Sequence, residues 1–171
     1  VTDLTVNQGI TLTGSSILIL GAGGASRGII GPLLDLAPKN LVIANRSVEK
    51  AVALAEQYAG AAVISGCAFA DLSGQQFDLI LNATSASLTD ELPPLPEGIL
   101  ASNGNCYDLA YGNQATAFVR WGQANAAVKS LDGLGMLVEQ AAAAFFIWRG
   151  VKPQTKPVID LLNSERFRTD L

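Results

Sequence analysis

Residues 21–25 are three glycines and two alanines, and they follow the apolar residues 17–20 directly. Small side chains at the turn from a strand into a helix let a phosphate group approach the backbone, where the first N–H groups of the helix carry partial positive charge. Gly21 suits a tight turn, and Gly23 leaves room for a pyrophosphate. Ser26 stands where the usual GxGxxG pattern has its third glycine. We therefore expect a dinucleotide diphosphate here, with a turn that binds no ligand as the alternative.

The residues after the second apolar run indicate which dinucleotide would bind. A site for NAD usually has a carboxylate there, which binds the ribose 2′-hydroxyl. This chain has Asn45-Arg46-Ser47 instead, with Lys50 one helical turn later and no carboxylate before Glu49. A guanidinium can stack on adenine and pair with a 2′-phosphate, to which a hydroxyl and an ammonium add a donor and a charge. The pattern predicts NADP, and the alternative is that both cations are ordinary surface charges.

Acid–base and metal chemistry have few candidates, because the chain contains no histidine. Asp108 and Asp132 could serve as bases, but capping and turn roles fit them better, so we assign no catalytic acid or base to this chain. Cys67 and Cys106 lie far apart without CxxC spacing, and no metal site is expected. We expect both cysteines to be free thiols, and a disulfide between them stays open.

The elements that would position these residues alternate between strands and helices. Apolar runs without alternation are typical of strands buried on both faces of a parallel sheet. The pattern predicts an α/β fold with a doubly wound parallel sheet, a Rossmann-type dinucleotide-binding domain. Ser47 is the expected N-cap of the second helix, and Gly60 is expected after its end. The predicted strands span 16–20, 40–44, 61–65, 77–85, 104–111 and 128–132, and the predicted helices span 24–36, 47–59, 116–126, 134–149 and 155–167.

Composition is that of a globular protein of one ordinary domain, with 171 residues, 49% of them hydrophobic and 15% charged. The net charge is -4 and no basic run occurs, so nucleic acid is not an expected partner. No apolar run approaches the roughly 18 residues that a membrane span needs. The first residues lack the basic start and apolar middle of a signal peptide, which favours a cytoplasmic protein.

Five motifs occur in order along the chain: GAGGASRG, ANRSVEKA, FDLILNATSA, CYDLAY followed by Thr116 and Phe118, and DGLGMLVEQAAAAFFIWRG. Together they resemble the nucleotide-binding half of the shikimate dehydrogenase family over nearly the whole chain, and the last motif is especially specific. Family members often have threonine at the position of Ser47 and arginine at that of Lys50, and both replacements keep the donor or the charge.

The resemblance implies a role for residues at each strand end. Met136 is a further candidate to pack against the nicotinamide, and core filling explains it equally well. Gln140 lies among apolar residues, so it is expected either to bond a substrate hydroxyl or to satisfy nearby backbone. By resemblance, the diphosphate is bound by Gly21, Ala22, Gly23, Gly24 and Ala25, the adenosine 2′-phosphate by Asn45, Arg46, Ser47 and Lys50, the rest of the cofactor by Ala83, Thr84, Ser85, Leu109 and Gly133, and shikimate by Tyr111 and Gln140.

The resemblance also implies an activity, the reversible NADP-dependent reduction of 3-dehydroshikimate to shikimate in aromatic amino acid biosynthesis. In the family, an N-terminal domain carries the catalytic lysine and aspartate and most shikimate contacts. Residues 1–171 would then be the NADP-binding domain, with 1–14 a short helix and linker from that other domain and 151–171 a C-terminal helix. The expected partners are the small-molecule substrate and that domain, with a homodimer left open. Two alternatives remain: a quinate/shikimate dehydrogenase that uses NAD or NADP, and a non-catalytic NADP-binding module.

Overall fold

The computed structural model describes residues 1–58, 60 and 63–166. These residues contain one sheet, whose strands are β1 (Ser16–Leu20), β2 (Asn40–Ala44), β3 (Ile64–Cys67), β4 (Phe77–Asn82), β5 (Leu100–Asp108) and β6 (Lys129–Leu131). Every neighbouring pair is parallel, and the order across the sheet is β3-β2-β1-β4-β5-β6. From β1, the chain adds β2 and β3 on one side of the sheet and then β4, β5 and β6 on the other. This arrangement confirms the predicted doubly wound α/β fold.

The helices of the described residues are α1 (Gly24–Leu34), α2 (Val48–Glu56), α3 (Ala117–Ala124), α4 (Leu134–Arg149) and α5 (Lys156–Arg166). Shorter helical turns occur at Asp3–Asn7, Phe69–Leu72 and Ala86–Thr89. Within the described part of the chain, no helix has the combined length and apolar character that a membrane crossing would need.

The core lies on both faces of the sheet, because alternate residues of the central strands point to opposite sides. On one face, Ile17 and Ile19 pack with Ile30 and Leu33 of α1 and with Leu54 of α2. The other face of β1 and its neighbours packs in a second cluster that includes Phe118 of α3. Burial on both faces explains why the central strands read as continuous apolar runs.

Two predicted segments around α2 and β3 are corrected by the structure. Ser47 occupies the N-cap position of α2, but its side chain makes no capping hydrogen bond. The helix ends at Glu56 with Gln57 as C-cap, so Gly60 does not end it. The third strand begins at Ile64, later than predicted, because residues 64–67 pair with residues 41–44 of β2. The predictions also included residues 59, 61, 62 and 167–171, which lie outside the described residues.

The fourth and fifth strands end earlier than predicted because a side chain turns the backbone at each end. Asn82 Oδ1 accepts the Thr84 N–H at 3.2 Å, which ends β4. Asp108 Oδ1 accepts the Ala110 N–H at 3.0 Å, which ends β5 in the same way. The fifth strand also begins earlier, because Leu100 pairs with Phe77 across a register shift. The ends of both strands therefore lie at the same edge of the sheet.

The segment before β1 packs into the same core. Leu4, Ile10 and Leu12 are buried with the residues of β1. Asn7 Nδ2 donates to Glu139 Oε1 of α4 at 2.9 Å, and the buried Asp3 carboxylate lies against Gly135 of the same helix. The expected short helix is thus present at Asp3–Asn7 and is fixed against α4.

Candidate functional site

The predicted site residues converge on the carboxyl edge of the sheet. At this edge, backbone hydrogen bonds continue the strand pairing past the strand ends. The Gly21 N–H donates to Ala44 O at 2.7 Å, and the Ala83 N–H donates to Leu20 O at 2.9 Å. The direction of chain progression reverses between β1 and β4, which are neighbours in the sheet. A crevice at such a reversal is the usual place for a ligand in a doubly wound sheet.

The glycine turn has one position that only glycine can occupy and two that are open. Gly21 has φ +101°, and a Cβ there would lie 2.9 Å from Ala83 O. Gly23 is the N-cap of α1 and Gly24 its first residue, and both are exposed. A Cβ added at either would meet no atom within 4 Å. The N-terminus of α1 is therefore open to a ligand, as a diphosphate site requires.

Ser26 has a role that the sequence did not reveal. Its side chain is fully buried, and its hydroxyl donates to Gly21 O at 2.7 Å. This hydrogen bond joins the first turn of α1 to the start of the glycine turn. The serine thus fits where the usual pattern has glycine and also fixes the shape of the turn.

The residues after β2 form a turn with two cations at its surface. The Asn45 side chain donates to Ser47 O at 3.0 Å, so Asn45 stabilises the turn itself. Arg46 and Lys50 are exposed, and neither makes an ion pair with another described residue. Ser47 lies at the N-terminus of α2, where an anion is favoured. The arrangement provides positive charge beside a helix N-terminus.

The loop after β4 is held by Asn82, whose side chain is fully buried. Besides the Thr84 N–H, Asn82 Oδ1 accepts the Thr84 hydroxyl at 2.7 Å. Asn82 thus caps the backbone at the end of β4. Of the candidate residues that follow, Ala83 and Thr84 are half-buried and Ser85 is exposed.

A cleft of about 530 Å³ lies beside α1, between the end of β5 and α4. Leu109, Met136 and Gln140 line it together with Gly24 and Ala25 of the glycine turn. The structure therefore brings three residues predicted for the nicotinamide or substrate next to the diphosphate turn.

Three candidate residues differ from their sequence-based interpretation. The side chain of Gln140 is exposed and makes no hydrogen bond with a described residue, so the expected cost of burial does not arise. Tyr111 is 49% exposed and does not line the cleft that Gln140 lines. A Cβ at Gly133 would lie 2.3 Å from Leu109 O, so packing within the chain already requires glycine there.

Asp108 and Asp132 have the turn and capping roles that were expected of them. Asp132 Oδ1 accepts the Leu134 N–H at 3.2 Å, and its other oxygen pairs with Arg166 of α5 at 2.6 Å. Asp108 is fully buried and accepts hydrogen bonds with both oxygens. Both carboxylates are thus engaged in hydrogen bonds within the chain.

Two buried groups of β5, Tyr107 beside the cleft and Cys106 on the opposite face of the sheet, have raised pKa values. Tyr107 lines the cleft but is only 2% exposed, and its hydroxyl donates to Asp3 Oδ2 at 2.6 Å. Burial raises the pKa of Tyr107 well above its ordinary value, and the Asp3 carboxylate raises it further. Burial likewise raises the pKa of the Cys106 thiol to about 12. These groups cannot relay a proton at neutral pH.

The two cysteines are free, as expected. Cys67 ends β3 and Cys106 lies in β5, and three strands separate them in the sheet. Burial raises the pKa of Cys67, and the nearby Asp71 raises it further. Among the residues that the structure describes, no three Cys, Asp or Glu side chains are grouped to hold a metal ion.

Comparison with known families gives two matches. The model of the shikimate/quinate 5-dehydrogenases matches residues 4–89, and the model of the shikimate 5′-dehydrogenase C-terminal domain matches residues 133–162. The chain belongs to the shikimate/quinate 5-dehydrogenase family. The first matched range contains the glycine turn and the cations after β2, and the second contains Gly133, Met136 and Gln140.

Relatives of known name are similar to almost the whole chain. The shikimate dehydrogenase (NADP(+)) of Methylococcus capsulatus is 60% identical over 164 residues, which are 96% of this chain and 59% of the relative. The enzyme of the same name from Alkalilimnicola ehrlichii is 53% identical, with 96% and 61% covered. The crystal structure of an Ael1 enzyme from Pseudomonas putida matches with a TM-score of 0.86 and 46% identity, covering 94% of this chain and 59% of that one. The chain thus spans about three fifths of the length of these relatives.

Proposed function

We propose that this chain is the NADP-binding domain of a shikimate dehydrogenase, which reversibly reduces 3-dehydroshikimate to shikimate. The observation that carries this proposal is the open N-terminus of α1 at Gly23 and Gly24, beside two unpaired cations after β2. The names of the relatives, which specify shikimate and NADP(+), support the same substrate and cofactor.

The diphosphate of NADP fits the glycine turn on the grounds of space and charge. The empty space over Gly23 and Gly24 admits a phosphate to the backbone, and the N–H groups at the start of α1 are donors for its oxygens. Ser26 holds the turn in shape through its hydrogen bond to Gly21 O.

The 2′-phosphate would be bound by Arg46, Ser47 and Lys50. Both cations lie after β2, without a competing ion pair among the described residues, and Ser47 adds a hydroxyl beside the N-terminus of α2. The first carboxylate after β2 is Glu49, which lies inside the first turn of α2. A guanidinium binds a phosphate in two-pronged geometry, which favours NADP over NAD.

The cleft would hold the nicotinamide and part of the substrate. NADPH, when bound, supplies the hydride that reduces the ketone carbon. Leu109 and Met136 offer apolar surface for the ring, and Gln140 offers an amide for a substrate hydroxyl. Tyr111, on the turn after β5, offers a second polar group near the same edge of the sheet.

The proton for the resulting alkoxide would come from another domain. Asp108 and Asp132 are occupied by structural hydrogen bonds, and the raised pKa of Tyr107 keeps its proton. By the family resemblance, a lysine and an aspartate of an N-terminal domain perform this step. This chain then binds and orients, and the other domain transfers the proton.

The exposed surface of α4 supports the proposal that a further domain packs against this one. Its last residues carry exposed apolar side chains, with Ile147 79% and Trp148 78% exposed and Phe145 and Phe146 about half exposed. Exposed apolar patches of this kind are typical of surfaces that another domain or protein covers. About two fifths of the length of these relatives lies outside the match with this chain, which is enough for such a domain.

A steady-state assay with NADP and shikimate tests the proposal. The 171-residue chain should bind NADPH but give no measurable oxidation of shikimate, and turnover should appear when the rest of a relative's chain is joined to it. Substrate orientation requires both walls of the site, which is why one wall alone should be inactive. Robust turnover by this chain alone would refute the assignment of the catalytic groups to another domain.

A further inference from the structure

Asp108 is a buried carboxylate with four hydrogen-bond donors. It ends β5 and has no exposed surface. Oδ1 accepts the Ala110 N–H at 3.0 Å and the Asn82 side-chain amide at 3.2 Å. Oδ2 accepts the hydroxyls of Ser87 at 2.5 Å and Thr116 at 2.6 Å. A buried carboxylate is costly unless donors surround it, and here both oxygens are fully used.

The partners of Asp108 are themselves bonded further. Ser87 Oγ also accepts from the Asn82 side-chain amide at 2.9 Å. Thr116 Oγ1 also accepts the Val119 N–H at 3.2 Å, and so caps α3. Asn82 in turn binds the Thr84 N–H and hydroxyl through its Oδ1. Because every hydroxyl both donates and accepts, the network has a single arrangement.

The network joins three segments at the carboxyl edge of the sheet: the loop after β4, the turn after β5 and the start of α3. The first holds Thr84, and the second holds Leu109 and Tyr111, all of them candidate ligand contacts. Asp108 itself cannot touch a ligand, because it is fully buried. Its hydrogen bonds instead set where these contacts lie.

We propose that Asp108 is a positioning residue for the nicotinamide half of the site, acting through Ser87, Thr116 and Asn82. The inference rests on the proposed function. The adenosine half is built on the turn after β2, on the other side of β1, and its residues take no part in this hydrogen-bond network. Loss of the Asp108 carboxylate should therefore weaken binding of the nicotinamide end of the cofactor and leave binding of the adenosine end unchanged.

Asp108→Asn is the informative change, because it keeps the size of the side chain and removes an acceptor oxygen. If the amide nitrogen replaces Oδ2, the hydroxyls of Ser87 and Thr116 lose their acceptor. If it replaces Oδ1, it faces the N–H donors of Ala110 and Asn82 instead. Either orientation leaves buried donors unpaired and disturbs the loops that they hold.

The test compares two probes by calorimetry on the 171-residue chain: NADPH, which spans both halves, and adenosine 2′,5′-bisphosphate, which fills only the adenosine half. We expect Asp108→Asn to weaken the binding of NADPH by about tenfold, since unpaired buried donors displace the loops that carry the nicotinamide contacts. Binding of the bisphosphate should stay within about twofold of wild type by the same reasoning. The fluorescence enhancement of bound NADPH, which reports the nicotinamide environment, should also fall.

Matched variants keep the proposal falsifiable if Asp108→Asn does not fold. Thr116→Val removes one donor to Asp108 and should also weaken the binding of NADPH. Thr116→Ser keeps the hydroxyl and should bind NADPH as wild type does. Asp160→Asn is the control, because it makes the same change at a side chain of α5 that is 59% exposed. It should leave the affinity for both probes unchanged.

Unchanged NADPH affinity and fluorescence in Asp108→Asn and Thr116→Val would overturn the inference, and so would parallel losses for both probes, which indicate general damage. A wild-type chain that binds neither probe would refute the proposed function itself and remove the basis of the inference with it.

Discussion

Arg46→Ala should separate the two nicotinamide cofactors. Arg46 follows β2, is exposed, and has no ion-pair partner among the described residues, so its guanidinium is available to a ligand. A hydrogen bond to a charged group contributes about 1.5–3 kcal/mol, and solvent at an exposed site favours the lower end. A loss of about 1.5–2 kcal/mol corresponds to a 10- to 30-fold weaker NADPH complex, at about 1.4 kcal/mol per tenfold change.

NADH has no 2′-phosphate, so its affinity should fall much less in the same variant. Stacking of the guanidinium on adenine is worth about 0.5–1 kcal/mol at an exposed site, which is a loss of about two- to fivefold. Because NADPH loses the same stacking, that loss cancels, and the preference for NADPH over NADH should shrink by the phosphate contact alone, about 10- to 30-fold, in Arg46→Ala.

Isothermal titration of wild type and variant with both cofactors measures this change. Lys39→Ala is the matched control, because it also removes an exposed positive charge but lies before β2, at the opposite edge of the sheet. It should leave both affinities unchanged, and added salt should reduce the preference of wild type for NADPH. Equal losses for NADPH and NADH in Arg46→Ala would refute the assignment of the 2′-phosphate to this residue.

The remaining predictions concern the glycine turn and the tyrosine below the cleft. Gly23→Val should abolish NADPH binding, because the branched side chain fills the open space over the turn; its thermal unfolding should stay close to wild type, and calorimetry showing unchanged affinity would mean that the turn binds no diphosphate. Tyr107→Phe should lower the free energy of unfolding by about 1–3 kcal/mol in urea titrations, because Asp3 loses a buried donor. Burial raises the pKa of Tyr107 above its ordinary value of 10.0, so wild type should lose stability above that pH as the unfolded tyrosine ionises, and this part of the loss should be smaller in Tyr107→Phe.

Local sequence patterns were enough to predict the sheet and the glycine turn. The apolar runs of β1 and β2 are buried on both faces, so their composition alone distinguishes them. The third strand was misplaced because Ser65 and Gly66 interrupt its apolar pattern, and pairing with β2 determines where it lies. Strand boundaries that depend on a neighbouring strand cannot be read from one segment.

The hydrogen-bonded network of Asp108 was beyond sequence reasoning for a similar reason. Its carboxylate meets Asn82, 26 residues earlier in the chain, and Thr116, eight residues later. No spacing rule predicts such contacts, because they arise only when the strand ends meet at the edge of the sheet. The exposure of Gln140 was missed because α4 is apolar on nearly all sides, which hides the face that lines the cleft.

The central claim is that this chain binds NADP through the glycine turn and the cations after β2. Direct titration of the unmodified chain with NADPH and NADH at equal ionic strength tests it most directly. The account predicts saturable binding of NADPH to one site, at least about tenfold tighter than NADH by the energy of a charged phosphate contact. Equal affinity for the two cofactors, or no binding of NADPH, would contradict it.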